Sequence, residues 1–245
     1  MNARFYCNFP LAGHPLLELP EAAGHHAMRV LRLKSGDDVT LFDGRGGEFL
    51  ARIVETGRAV RVEVIEWRDV EREASFTVTL AQALPAGDKM DWVVQKAVEL
   101  GVAHIVPLAA ARSVVRLAGE RATRRVQHWQ SVAVAACEQC GRNRVPQIAP
   151  LFDLRQWLSQ RTQAQDEVSL LLSPQATSRL GERVAEGRVA GATLLIGPEG
   201  GWTEDEEAAA LAYGFQPVSL GPRVLRTETA GLAALAALAA LRGDI

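Results

Sequence analysis

The sequence holds little of what marks several familiar function classes. It has only three cysteines, Cys7, Cys137 and Cys140, too few for a disulfide framework. Cys137-Glu138-Gln139-Cys140 is a C-x-x-C, but no second Cys/His pair stands at a spacing that would complete a four-ligand zinc site. The two cysteines fall in a run of helical periodicity and read as small residues of a helix, so no metal is expected. Free thiols fit a reducing cytoplasm. Long apolar runs are also missing. The start, Met1-Asn2-Ala3-Arg4-Phe5-Tyr6, leads into none, so no secretory leader is expected. The longest run, Ala230 to Leu241, falls short of the ~20 residues needed to cross a bilayer, and no membrane partner is expected. Net charge is only -2, which excludes the strongly basic chain that advertises nucleic acid.

What is there is an ordinary globular composition. The chain has 245 residues, 48% hydrophobic and 23% charged, enough for one large domain or two small ones. Charge is uneven within it. From Arg112 to Arg144 there are seven arginines (112, 116, 121, 124, 125, 142 and 144) against two acids, Glu120 and Glu138. Such an excess neutralises phosphates or forms a solvated helix face, and charge alone does not choose.

The character of the sequence changes near residue 72. Before it, short strand-like runs are cut by turn signals: Val39 to Phe42, then Asp43-Gly44-Arg45-Gly46-Gly47, then Glu48 to Val54 and Ala59 to Trp67. Asp-Gly between such runs signals a hairpin. A small β-barrel is expected over residues 1–72, with one helical patch, Pro20 to Leu33, and a charged linker, Glu66 to Glu73. After it, over 73–245, strands and helices alternate. Phe76 to Ala81, Ala103 to Leu108, Val168 to Leu172, Thr193 to Ile196 and Gln216 to Leu220 read as strands. Asp88 to Leu100 reads as a helix with Asp88 as N-cap and Gly101 just beyond. Arg121 to Cys140 reads as a long amphipathic helix. This alternation predicts an α/β domain with a parallel sheet.

The sharpest motif is Ile196-Gly197-Pro198-Glu199-Gly200-Gly201-Trp202-Thr203, where a buried strand enters a glycine loop. A helix follows with Thr203 and Glu206 spaced as a capping box. The Lys-Ser/Thr pair of a P-loop is absent. The acids 204–207 suit a helix N-terminus but repel phosphate, so a cationic or neutral ligand fits better. A second strand end, Leu220-Gly221-Pro222-Arg223-Val224-Leu225-Arg226-Thr227-Glu228-Thr229-Ala230, leads into another helix. A third is Leu172-Ser173-Pro174. Open α/β sheets bind ligands beyond such ends.

Gly197 to Gly201 and Leu220 to Ala230 resemble the signature of the SPOUT class of methyltransferases. Within the class the chain is similar to the RsmE type, the 16S rRNA uracil-N3 methyltransferases, nearly end to end. Arg4-Phe5-Tyr6, His25-His26, Val30-Leu31-Arg32, Gly36-Asp37 and Leu41-Phe42-Asp43-Gly44 resemble its N-terminal PUA-like domain. Lys89-Met90-Asp91, Lys96, Glu99 to Val102, Arg112-Ser113, Glu138-Gln139, Arg142 and Val145-Pro146 resemble the body that follows.

The resemblance implies a C-terminal trefoil knot, a homodimer, and S-adenosylmethionine held by Leu172, Ser173, Ile196, Gly197, Pro198, Glu199, Gly200, Gly201, Leu220, Gly221, Leu225, Arg226 and Thr227. It implies methyl transfer to uracil N3 in 16S rRNA of the small ribosomal subunit. Uracil N3 carries a proton that must leave, so a base or an anion-stabilising cation is required. Arg226 is the candidate cation, and Glu199 or Glu228 the candidate base. RNA contacts are expected from Arg4, His25, His26, Arg29, Arg32 and Lys34, joined by Arg112, Arg116, Arg142 and Arg144. Two alternatives stand beside this reading: another SPOUT enzyme, such as a tRNA ribose 2'-O methyltransferase, and a non-catalytic RNA-binding ribosome-assembly factor.

Overall fold

The computed structural model describes residues 2–162, 165–185 and 189–245. The chain divides into two compact units. One runs to Glu73 and includes Val134–Val145; the other is Ala74–Ala133 with Pro146–Ile245.

The first unit contains β1 (Ala3–Tyr6), β2 (Leu16–Glu18), α1 (Glu21–His25), a π-helical turn (His26–Val30), β3 (Asp38–Phe42), β4 (Glu48–Glu55) and β5 (Arg61–Arg68). They form a five-stranded sheet in the order β1-β3-β4-β5-β2. β1 pairs with β3 in parallel and the other pairings are antiparallel. Period-2 patterning decides which face is inside. Along β4, Phe49, Ala51 and Ile53 point into the core while Arg52 and Val54 face solvent. Phe5, Leu41 and Val62 complete that core, each such side chain contributing about 1.5–3 kcal/mol when buried. The expected hairpin joins β3 to β4 through Asp43–Gly47, where Asp43 accepts from the Arg45 amide and Gly44, Gly46 and Gly47 take positive φ.

Two expectations for this region need correcting. The helical patch over Pro20 to Leu33 is not one α-helix. It widens after His25 into π register, with Leu31 N–H donating to His26 C=O five residues back, and it ends at Arg32 in the left-handed region, φ 57°, after which Leu33 N–H donates to Ala27 C=O. The charged stretch Glu66 to Glu73 is not a free linker. β5 runs through Arg68, and Glu71, Arg72 and Glu73 pair with Arg144, Glu48 and Arg142 inside the unit.

The second unit contains β6 (Thr77–Ala83), α2 (Lys89–Glu99), β7 (His104–Ala109), α3 (Gly119–Cys140, its last residues counted with the first unit), β8 (Gln147–Ile148), β9 (Phe152–Asp153) and α4 (Leu154–Gln160). It continues with β10 (Glu167–Leu172), α5 (Leu180–Ala185), β11 (Gly191–Ile196), α6 (Glu204–Ala212), β12 (Gln216–Val218) and α7 (Thr227–Arg242). The sheet order is β12-β10-β11-β6-β7-β8, with β9 also on β7, and every pairing is parallel. A parallel sheet covered on both faces needs continuous apolar strands, and all of β11 is buried. Gly101 ends α2 at φ 83°, as the sequence predicts. Asp88 sits at the N-cap but makes no cap hydrogen bond; its carboxylate goes to Arg125, 2.9 Å away. Cys137 is buried in α3, and burial pushes its thiol up to about 12, far from the reactive range.

Candidate active site

Strand order brings three loops distant in sequence to one place. β10 lies between β11 and β12, so the chain leaves the sheet at Ile196, Leu172 and Val218 side by side. Beyond these carboxyl ends lies a cavity of about 680 Å³. Every residue expected to hold a cofactor, from Leu172 and Ser173 through Ile196–Gly201 to Leu220, Gly221 and Leu225–Thr227, lines it. Arg112, Trp202, Glu207, Arg223 and Val224 line it too.

The glycine loop is held from several sides. Thr203 and Glu206 form the predicted capping box at the start of α6. Glu206, largely buried, also accepts from the Ala111 amide at 2.7 Å. Each loop glycine answers a different demand. Gly201 has φ 69°, a region other residues enter at a cost. A Cβ on Gly197 would lie 3.1 Å from the Trp202 indole nitrogen, and one on Gly200 would lie 3.0 Å from the Arg112 side chain. Across the sheet, Thr227 Oγ1 donates to Gly197 C=O at 2.5 Å and accepts from Gln82 Nε2 at 2.8 Å. The first turn of α7 is thereby tied to the ends of β11 and β6. Gly231 lets the helix come this close, since a Cβ there would meet Gln82 Oε1 at 3.0 Å. Sequence reasoning did not single out Gln82; the available signal was a polar residue in the otherwise apolar end of β6.

The charges at the rim are arranged unequally. Lys89 Nζ lies 2.8 Å from Glu228 Oε1 and 3.8 Å from Glu199 Oε1. Glu199 Oε1 also accepts from the Ala86 amide at 2.8 Å. Burial alone would raise the Glu228 carboxyl, but the Lys89 hydrogen bond, its own backbone amide and the charges of Lys89 and Arg226 hold it below its ordinary value. Glu228 is not among the residues lining the cavity. Arg226, the N-cap residue of α7, is exposed at the cavity, and its side chain has no hydrogen bond or ion pair among the described residues. The salt bridge to Glu228 that would occupy Arg226 is thus made by Lys89 instead.

Comparisons with known proteins converge on one family. The RNA methyltransferase domain family matches residues 72–239, and the RNA methyltransferase PUA domain family matches residues 19–65. The chain is 37% identical over 232 residues to the ribosomal RNA small subunit methyltransferase E of Bacillus subtilis, covering 90% of each. It is 31% identical over 243 residues to that of Buchnera aphidicola subsp. Schizaphis graminum, covering 99% of this chain and 97% of the relative. The chain belongs to the ribosomal RNA small subunit methyltransferase E family. Its fold matches the crystal structure of the family member from Neisseria gonorrhoeae bound to S-adenosyl methionine, with TM-score 0.90, 37% identity and 98% of each chain covered.

In this family member, the residues expected to meet RNA divide into two groups. Arg4 is buried, donating to Glu48 and Asn143 at 2.6 Å each, and Arg142 is locked onto Glu73. Only 5% of each of these two side chains is exposed, which withdraws both from any phosphate. Arg144 pairs with Glu71 at 2.8 Å. Arg116 donates to the carbonyls of Ala110 and Ala111, and Arg112 to those of Gly200 and Trp202. His26 packs edge-on against Phe5. His25 at the end of α1, and Arg29, Arg32 and Lys34 on and after the π-helical turn, are exposed, as are Val30 and Leu31. No helix among the described residues is long and apolar enough to cross a membrane, and none of their His, Cys, Asp and Glu side chains cluster in threes as a metal would require.

Proposed function

We propose that this protein methylates N3 of a uracil in 16S rRNA of the small ribosomal subunit, with S-adenosylmethionine as methyl donor. One observation carries the reading: a chain that matches the family almost throughout keeps a glycine-walled cavity at the ends of its three adjacent strands.

The cavity suits that cofactor. A volume of about 680 Å³ is in the range of small-molecule sites. Leu172, Ile196, Leu220 and Leu225 offer apolar walls for a base, and the glycine loops expose backbone groups. Glu204–Glu207 open α6, with Glu207 in the lining, which favours a cation such as a sulfonium over a phosphate. The indole N–H of Trp202 is buried beside Gly197 with no partner among the described residues, an unclaimed donor at the loop. Residues 196–201, 220–221 and 225–227 with Leu172 and Ser173 would hold the cofactor, which supplies an electrophilic methyl group when bound.

The work left to the protein is on the nucleophile. Transfer of the N3 proton to Glu199 or to solvent leaves a uracil anion, and Arg226, a guanidinium without a competing partner among the described residues, stabilises it as charge develops. Glu228 and Glu199 are the two candidate bases. The Lys89 pair lowers the proton affinity of Glu228, which favours a positioning role there over proton removal.

We further assign residues 1–72 to a PUA-like barrel that contacts RNA, and 73–245 to the methyltransferase domain. The strand order β12-β10-β11 supports a trefoil-knot path for the C-terminal chain. The working form is a cytoplasmic homodimer, as in the class. Labelled methyl transfer to small subunits lacking the modification, followed by nucleoside analysis, tests the reading. Label in 3-methyluridine is the expected result. Label in a ribose 2'-O-methyl nucleoside, or RNA binding with no transfer, would replace it with one of the two alternatives.

A further inference from the structure

Two cations beside this cavity, Lys89 and Arg226, stand where the helix dipole disfavours them. Lys89 is the first residue of α2, and Arg226 is the N-cap of α7; positive charge is unfavourable at either place. Residues that break a local rule without a packing reason point to function. Lys89 is compensated by Glu228 at 2.8 Å and Glu199 at 3.8 Å. Arg226 is not compensated, although Glu228 lies two residues away and feels its charge. The second Glu228 oxygen, Oε2, is buried with no hydrogen-bond partner among the described residues. A carboxylate left in this state attracts a cation, and Lys89 engages it through Oε1.

We propose that Lys89 is a positioning residue that occupies Glu228, ties it to Glu199 of the glycine loop, and so keeps the Arg226 guanidinium free to meet the developing uracil anion. Without Lys89, Arg226 folds back onto Glu228 and is lost to the reaction. The proposal rests on the methyltransferase reading for its kinetic consequence, but not for the ion-pair exchange itself.

The test compares wild type, Lys89→Met, Lys89→Arg and the double variant Lys89→Met/Glu228→Gln. Thermal melting confirms that each is folded, and calorimetry measures S-adenosylmethionine binding. In Lys89→Met, kcat falls by about tenfold or more, while the cofactor Kd moves by less than about twofold. Lys89→Arg restores the rate. Neutralising Glu228 in the Lys89→Met background also restores most of it, because Arg226 then has no carboxylate to join. An independent readout is the Arg226 Nε–H resonance of the cofactor-free protein, assigned through Arg226→Lys. It becomes protected from exchange in Lys89→Met and returns to the wild-type position in the double variant. Unchanged turnover in Lys89→Met, a double variant as slow as the single one, or loss of cofactor binding in step with kcat would each overturn the proposal. If wild type transfers no methyl, the functional reading fails, and the Arg226 resonance still decides the ion-pair exchange.

Discussion

The first unit and the cavity rim both depend on arginine, and they treat it in opposite ways. In the first unit Arg4, Arg72, Arg142 and Arg144 each face a glutamate, Glu48, Glu73 or Glu71. Glu48 is shared by two of them. Burial alone would raise Glu48, yet its hydrogen bonds and charge contacts with Arg4 and Arg72 pull it below its ordinary value. At the rim of the cavity, Arg226 has no partner among the described residues, while a lysine takes the carboxylate of Glu228. A buried charge must be paired because desolvation otherwise outweighs any gain. An exposed charge beside a cavity can be left open, and it then remains available to a ligand. Arginine count along a sequence therefore says little about nucleic-acid contact until each guanidinium's partner is known.

The largest expected effect sharpens that contrast at its open end. Arg226→Ala should lower kcat by about 100-fold or more with little change in thermal midpoint, checked by methyl-transfer kinetics beside calorimetry. Full turnover would remove Arg226 from the chemistry. At the closed end, Arg4→Met should do the reverse. It breaks a buried pair, and its loss of stability, about 3 kcal/mol, should appear in urea unfolding. The sign with pH follows from Glu48. Its folded value is depressed, so its stabilisation is complete above the unfolded value of ~4.3. That contribution is lost as pH falls through the folded value, so the gap between wild type and Arg4→Met should narrow in acid. A gap that stays constant down to that range would refute the pairing as its source.

The glycine loop gives an intermediate effect. Gly201→Ala forces a side chain to φ 69°, worth about 1–2 kcal/mol of strain. We expect weaker S-adenosylmethionine binding by calorimetry, with kcat at saturating cofactor less affected. The smallest effect concerns Glu138 in the first unit, whose carboxyl is raised, first by burial, against the Tyr6 amide hydrogen bond and the charges of His26 and Arg4. A carboxyl raised on folding loses stability as pH climbs through the interval between its unfolded and folded values. Glu138→Gln should therefore raise the thermal midpoint at neutral pH and give no gain once pH is below the unfolded value. A midpoint that drops at pH 7 would mean that its ionised form is needed.

Much of the second unit was legible in the sequence because its signals are local. Capping at Thr203 and Glu206, the positive-φ glycine after α2 and the largely apolar run of β11 each follow from a few neighbouring residues. The cavity residues were legible for a related reason, since strand ends that carry glycine are recognisable one loop at a time. The π-helical turn at His26–Val30 was not, because one extra residue in a helical turn leaves apolar spacing almost unchanged. The burial of Arg4 and Arg142 is not legible along the chain, because their partners, Glu48 and Glu73, lie far from them in sequence. Nothing local separates a buried arginine from a solvated one.

The sequence by itself determined the α/β alternation, the glycine loops, the acid-rich helix start that disfavours phosphate, and the thiol pair as helix residues, all short-range properties of the chain. Only the tertiary structure decided which strand ends meet, which arginines are neutralised, and that Lys89 rather than Arg226 holds Glu228. Those outcomes depend on strand order and on charges that packing brings together from distant segments, and no window along the chain contains both members of such a pair.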